Sequence, residues 1–459
     1  MIDFADKQVV VMGLGRFGGG VGVTKWLIAQ GADVLVTDMG DAESLADSVA
    51  ALDGLDVQFR LGEHNVSDFT KADVVVVNPA VSRENNRFVR AADAAGVVIT
   101  SEIELVMERL PNKRNVIGVT GTAGKSTVCA MLGEVLSEWG EVGGEAKSIV
   151  NKGVNGFKCW VGGNIGGSLL GQLSEISKDD WVVLELSSFM LEGMRGKQSA
   201  WGGQRIAIIT SFGSNHLDWH GHVEAYRDSK RVLLDGLVDG GVAILGEGVV
   251  ASGFKVKDKC ELVEVCAADV SGVEMVLPGE HNRMNGGIVK AVCDAIDVDE
   301  LWESVGKDVV ARFSGLPHRM QFVGAYAVGD GDEVRVYNDS KCTTVDGAIL
   351  GMHSFEKDTV HVVVGGYDKG DDYERLGFEA AAWCKGVYAI GAVSERIVKG
   401  GGAGVISCRD LDAAVQAIAE GVGHEDVVLL STGCASWDQF ANYEERGEAF
   451  MRLVDEVLG

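Results

Sequence analysis

Residues 118–127 read G-V-T-G-T-A-G-K-S-T. A glycine-rich turn of this kind, set between an apolar run at Val116-Ile117 and a helical pattern over Val128–Leu136, leaves backbone N–H groups free to cradle phosphates. Lys125 adds a full positive charge, and Ser126 or Thr127 offers a hydroxyl to Mg²⁺. The pattern departs from the usual P-loop at Val119, where a glycine is expected. It still predicts ATP binding through Gly121, Thr122, Gly124, Lys125, Ser126 and Thr127.

Other segments carry chemistry less specifically. Glu185 closes an apolar strand in L-E-L-S-S-F, where a carboxylate can reach the ligand crevice of an α/β sheet and hold Mg²⁺. Residues 215–222, N-H-L-D-W-H-G-H, place three His and one Asp together, a spacing that by itself suggests zinc more than magnesium. Lys230, in Y-R-D-S-K-R, reads by spacing as a solvated helical lysine. N-D-S-K at 338–341 and G-G-Y-D-K-G at 365–370 follow strands and suit carboxylates or phosphates. Cys434 has no nearby His in its segment and reads as an inert thiol.

These segments need strands and helices to aim them. Over residues 1–110, strands at Gln8–Met12, Asp33–Thr37 and Asp73–Val77 alternate with helices. The first is followed by Gly13-x-Gly15-x-x-Gly18, the second by Asp38 and the third by Asn78-Pro79. This is a Rossmann-like mononucleotide pattern, with Asp38 placed to meet a ribose. Residues 111–313 hold the phosphate loop and strand runs at Trp181–Leu186, Ile206–Thr210 and Val242–Leu245, a central P-loop ATPase-type parallel sheet. Residues 314–459 form a third, Rossmann-like α/β unit with strands at Val334–Asn338, Val360–Val364, Gly386–Ile390 and Val427–Leu430. Gly391–Gly404 reads as loop, and Gly140–Asn155 as an inserted surface loop. The expected fold is three α/β domains.

The 459 residues are 46% hydrophobic and 24% charged, with a net charge of −27. Such a surface repels nucleic acid and anionic membranes. No apolar run is long enough to span a bilayer, and the acidic N-terminus is unlike a signal peptide. Nine unpaired-looking Cys fit a reducing cytoplasm.

Taken together, the chain resembles the Mur ligases of bacterial peptidoglycan synthesis over nearly its whole length. The matching segments are G-T-A-G-K-S-T, G-G-N-I-G at 162–166, L-E-L-S-S-F, N-H-L-D, G-E-H-N-R-M-N at 279–285, G-L-P-H-R at 315–319, N-D-S-K and G-G-Y-D-K-G. The ending at 430–450, L-S-T-G-C-A-S-W-D-Q-F-A-N-Y-E-E-R-G-E-A-F, is similar to that of the D-glutamate-adding type, and sister ligases lack it.

The resemblance implies roles. Lys125 and Ser126 would hold ATP phosphates and Mg²⁺, with Glu185 a magnesium ligand near the γ-phosphate. Asn164 and His216 would line the reaction centre, His216 on a second Mg²⁺. Lys230 would be carbamylated and help hold metal. Asn282, Asn285, Arg319 and Asp339 would contact ATP. Lys341, Thr343, Lys369, Ser436 and Tyr443 would surround glutamate. Gly13, Leu14, Asp38 and Asn78 would lie around a uridine diphosphate. The implied reaction is ATP-dependent addition of D-glutamate to UDP-N-acetylmuramoyl-L-alanine by a cytoplasmic monomer. Thr432-Gly433 stand where the family has Pro-Ala, Gln321 where an acid is common, Tyr443 where Phe is frequent, and 141–160 is longer than expected. Three rivals stay open on the residues: a related ligase adding L-glutamate or another amino acid, a nicotinamide-dependent oxidoreductase using Gly13–Gly18, and a non-catalytic nucleotide binder.

Overall fold

Parallel strands buried on both faces must be apolar throughout, and the strand centres here are runs of Val, Ile and Leu. The computed structural model describes residues 1–15, 18–142, 156–296, 301–328 and 332–459. Most of the 140–155 insertion lies outside the described residues.

The first sheet contains β1 (Gln8–Met12), β2 (Asp33–Asp38), β3 (Val57–Leu61), β4 (Val74–Val77) and β5 (Val98–Thr100). Its order is β3-β2-β1-β4-β5, all parallel. β4, V-V-V-V, is fully buried, whereas edge strand β3 exposes Gln58 and Phe59 and pairs its half-buried Arg60 with Asp68.

The second sheet contains β6 (Val116–Thr120), β7 (Cys159–Gly163), β8 (Trp181–Glu185), β9 (Gln204–Ile209), β10 (Leu237–Gly246) and β11 (Glu261–Val265). Its order is β11-β10-β9-β6-β8-β7, again all parallel. The third contains β12 (Gln321–Val328), β13 (Asp332–Asn338), β14 (Val360–Gly365), β15 (Gly386–Ile390), β16 (Val405–Ser407) and β17 (Val427–Leu430). Here the order is β12-β13-β17-β14-β15-β16, with only β12 antiparallel to its neighbour.

The chain divides into two units, Met1–Asp269 with Met284–Lys307, and Val270–Arg283 with Asp308–Gly459. The first two sheets lie in the first unit and share one hydrophobic core, in which Val9, Val34 and Val74 join Leu184, Ala207 and Leu245. The second unit has its own core, built on Val336, Val363, Leu430 and Phe450.

One expectation fails. Ser394–Gly401, within the stretch read as loop, is a helix that buries Ile397. Its glycines serve close packing: a Cβ at Gly377, Gly400 or Gly401 would strike backbone across the contact between Tyr373–Trp383 and this helix. No helix among the described residues is long and apolar enough to cross a membrane. The nine cysteines are free thiols.

Candidate active site

In a parallel sheet all C-terminal strand ends face one side, so neighbouring strands bring sequence-distant residues together. β6 lies between β8 and β9, and Val119 of β6 is in register with Glu185 of β8. Glu185 in turn is level with Gly163 of β7, which puts Asn164 beside it. The Asn164 amide Nδ2 donates to Glu185 Oε1 over 3.0 Å. Glu185 is only 1% exposed, and its Oε2 has no hydrogen-bond partner among the described residues. A buried carboxylate oxygen left without a donor is costly, and a cation would satisfy it.

The phosphate loop is tied to the end of β9. The Thr122 N–H donates to Ser211 O over 2.9 Å, and the Ala123 N–H to Ser211 Oγ over 2.9 Å. Gly124 has φ +83°, and a Cβ there would come within 2.5 Å of Asn285 Oδ1. Lys125 opens the helix Lys125–Val142 and folds back, its Nζ donating to Gly121 O at 3.1 Å and Thr122 O at 3.2 Å. Ser126 and Thr127 are buried in the first turn.

Lys230 comes to the same loop from the helix Val223–Asp235. Spacing read it as solvated, but it is 1% exposed. Its Nζ donates to Gly121 O over 2.8 Å, approaches Thr120 Oγ1 at 3.4 Å and lies 4.5 Å from the centre of the Tyr226 ring. No carboxylate pairs with it among the described residues. Burial, with the Lys125 charge as a second cause, pulls its ammonium down to about 6.

His216 holds a left-handed backbone, φ +53°, at the head of the turn Leu217–His220. Such a conformation is strained for a side-chain-bearing residue and marks a loop whose shape is imposed by its surroundings. Its ring packs on Phe189, 4.9 Å between centres. His220 stacks on Phe189 and meets Ser188 Oγ at 3.0 Å, and burial lowers its imidazole to about 4. The site therefore holds His220 neutral at physiological pH. His222 caps the Lys230 helix, its Nδ1 accepting the Ala225 N–H at 3.2 Å.

The first sheet adds a second set of strand ends. Gly13 has φ +93°, and a Cβ there would come within 2.7 Å of Asn78 Cβ. The Asp38 carboxylate accepts the Gly15 N–H at 3.1 Å and the Gly40 N–H at 2.8 Å, so it braces the glycine turn. Leu14 is buried in the core, which leaves only its backbone for a ligand. A cavity of about 140 Å³ is bordered by Gly13, Asn78, Asn164 and Glu102. A larger groove, about 970 Å³, runs past Asn78, Arg83, Phe189, Trp219 and His220.

In the second unit, Asp339 follows β13 and accepts Ser431 Oγ at 2.7 Å and the Met320 N–H at 3.1 Å. Burial raises its carboxyl to about 6. Arg319 sits in a short bridge with Leu316, and Asn282 donates to Pro278 O over 2.7 Å. Lys341 lies 5.2 Å over the Tyr443 ring, Thr343 is half-buried in the loop after β13, and Ser436 is buried. Lys369 lies 5.1 Å over Trp437. His318, at φ +59°, packs against helix Tyr443–Leu458, where a methyl at Gly447 would overlap its ring. Gly447→Ala should therefore destabilise the protein by about 1–3 kcal/mol, read from the denaturation midpoint. An unchanged midpoint would contradict this packing.

The Mur ligase MurD-like N-terminal domain model matches residues 7–101, the Mur ligase middle domain 119–255, and the Mur ligase glutamate ligase domain 318–434. A UDP-N-acetylmuramoylalanine–D-glutamate ligase of Roseiflexus sp. (strain RS-1) is 32% identical, over 99% of both chains. The chain belongs to the Mur ligase family. A second such ligase, from Koribacter versatilis, is 31% identical over 99% of both chains. The fold is that of the solved MurF ligase from Thermotoga maritima in complex with ADP, with TM-score 0.55 and 14% identity, over 99% of this chain and 96% of that one.

Two sequence departures of this Mur ligase have local accommodations. Gln321 Oε1 accepts the His318 N–H at 3.0 Å, as an acid would. Thr432 Oγ1 donates toward Cys342 O and Cys434 O, and Gly433 takes φ +63°. Two residues escaped the sequence reading. Tyr226 Oη meets Thr122 Oγ1 at 3.2 Å while its ring faces Lys230, and the i, i+4 spacing from Lys230 on one helix face could have pointed to it. Arg446 is buried without a carboxylate partner among the described residues and joins Ser340 to Cys434 O. It lies within the marked ending at 430–450, but nothing in the spacing singled out this arginine from the rest of that segment.

Proposed function

We propose that this Mur ligase joins D-glutamate to UDP-N-acetylmuramoyl-L-alanine at the expense of ATP, in peptidoglycan precursor synthesis. The observation that carries the proposal is that Lys125 and Lys230 meet on one phosphate loop, with the Asn164–Glu185 pair on the strand ends beside it, in a chain similar end to end to ligases named for that reaction. Residues 1–110 would bind the uridine nucleotide, 111–313 ATP and 314–459 the amino acid. The reading further takes the enzyme to be a cytoplasmic monomer.

A carboxylate does not acylate an amine in water, because its oxygen is a poor leaving group. In the proposed reaction the alanyl carboxylate attacks the γ-phosphorus of ATP and ADP departs. The glutamate amine then attacks the acyl carbon, loses a proton, and phosphate leaves. Lys125 would neutralise the transferring phosphoryl group. Loop N–H groups at the helix start would hold the phosphate oxygens.

The donor set fits a divalent cation of the magnesium kind. Glu185 Oε2 is buried and unsatisfied, Ser126 is in the first turn of the helix after the phosphate loop, and His216 is in the loop after β9. Among the described residues no three His, Cys, Asp or Glu side chains converge, which suits Mg²⁺, an ion that takes few protein ligands beside phosphates and water. When bound, Mg²⁺ supplies positive charge where two anions must meet. Lys230 would serve as a carbamate, Asn164 would orient Glu185, and Lys341, Thr343, Lys369, Ser436 and Tyr443 would receive glutamate.

The test is phosphate release from ATP with UDP-N-acetylmuramoyl-L-alanine, across D- and L-amino acids. Release that depends on D-glutamate supports the reading, and equal or greater release with L-glutamate or another amino acid sinks it. Lys369→Ala should raise the KM for glutamate by about tenfold or more, and that for ATP little, since it removes a ground-state contact to a carboxylate. Equal effects on both substrates would assign Lys369 to the fold instead.

A further inference from the structure

Lys369 is an exposed lysine on a glycine-flanked turn, and such a side chain ordinarily samples many rotamers. Here its surroundings restrict it. Its acidic neighbour Asp368 is occupied elsewhere, paired with Arg396 at 3.3 Å and accepting the Gly370 N–H at 2.7 Å. The Lys369 N–H donates to Tyr373 Oη at 2.9 Å, which fixes the backbone of the turn. The Nζ then lies 5.1 Å from the centre of the Trp437 ring, with no ion pair among the described residues.

Trp437 itself needs explaining. It is a large apolar side chain left 63% exposed, directly after the buried Ser436. It is held by its edge: Tyr367, 41% exposed, meets it at 5.5 Å and 62°. The two loops are joined beneath this pair by a bridge, the Tyr367 N–H donating to Ala435 O at 2.9 Å. A lone exposed Trp is a solubility cost, whereas a Trp face set under an ammonium attracts it through the ring quadrupole without neutralising it.

We infer that Trp437 is a positioning residue for the substrate carboxylate. Its indole face holds the Lys369 ammonium, uncompensated and pre-oriented, next to Ser436, so that a dicarboxylic amino acid meets a fixed cation. The inference rests on the reading that Lys369 receives glutamate, and it adds a residue that acts through Lys369. A carboxylate partner would have held the lysine equally well but would have cancelled the charge the substrate needs. An aromatic face does not, and it lowers the ordering cost that binding would otherwise meet.

The experiment uses the full chain in the ligation assay with UDP-N-acetylmuramoyl-L-alanine, ATP and D-glutamate. W437L should raise the KM for glutamate about three- to fivefold, the upper part of the range expected for a lost cation–aromatic contact at an exposed site. The KM values for ATP and the nucleotide substrate, and kcat, should stay within about twofold. W437F, which keeps an aromatic face, should recover most of the glutamate affinity. In a K369A background, W437L should add no further loss, because its partner is already gone. If K369A raises the glutamate KM while W437L leaves it unchanged, the inference is overturned and the reading of Lys369 stands. If K369A has no effect on glutamate, the reading of Lys369 fails, and the inference with it. A rise confined to ATP or the nucleotide substrate in W437L would mean that Trp437 contacts those directly, which also overturns it. Additive losses in the double variant would do the same.

Discussion

Lys125→Ala should abolish ligation while leaving the fold intact. The side chain is half-buried and folds back on its own loop, donating to Gly121 O and Thr122 O rather than packing in the core. Losing a directed charge at a transferring phosphoryl group should cost at least about 3 kcal/mol, or more than about 100-fold in kcat. Stability should change by less than about 1 kcal/mol, the usual range for a partly exposed site. A second effect follows from the geometry. Lys125 helps lower the Lys230 ammonium, so its removal should let that group rise. Lys125→Arg separates the two contributions, because it keeps the charge and alters the reach. Retained turnover in Lys125→Ala would remove Lys125 from the phosphate path.

Much of the frame was legible because parallel strands are apolar runs closed by polar turns. β15 and β17 lie where the sequence placed them, Gly386–Ile390 and Val427–Leu430. Glu185 and Asn78 could be singled out because each ends such a run. The edge strands β3, β11 and β12 were not visible. They alternate with polar residues or are short of Val and Ile runs, since one face or edge meets water. The helix Ser394–Gly401 was hidden by glycines that signal loops in sequence but here allow two helices to approach. In the site, Lys230 was the hardest case. Helical spacing cannot tell a solvated lysine from one turned under a phosphate loop, and only β6 and its neighbours bring Gly121 to it. Asp38 was legible as a functional position, but its carboxylate is already engaged by Gly15 and Gly40.

Lys230→Ala should lose at least about 100-fold in kcat, and added acetate should restore part of it. The argument begins with burial. An ammonium at 1% exposure, with two backbone or hydroxyl oxygens and no carboxylate, is poorly compensated, and its proton is lost near pH 6. At neutral pH the group is therefore largely a free amine, which is the form that reacts with CO₂. In the proposed modification the amine nitrogen would bond to the CO₂ carbon and release one proton, giving a carbamate that carries −1 in place of a possible +1. Such an oxygen-bearing anion would suit the magnesium-type cation proposed beside Glu185, which an ammonium would repel.

The same burial has a stability consequence whose sign is fixed. The pKa is lower in the folded chain, about 6 against 10.5 for an ordinary solvated lysine, so between these values the unfolded chain binds the extra proton. For the unmodified enzyme, stability should fall as pH drops from about 10.5 toward 6, and Lys230→Met should flatten that slope. The proposed carbamate should give a new carbonyl signal in NMR spectra recorded with ¹³C-labelled bicarbonate, absent in Lys230→Met. Acetate rescue works by placing a carboxylate in the space vacated by the side chain, so it should act on Lys230→Ala and not on Lys125→Ala. Full activity of Lys230→Ala, or full activity of the parent enzyme with no carbamate signal and CO₂ removed, would leave Lys230 a buried amine without the proposed chemistry.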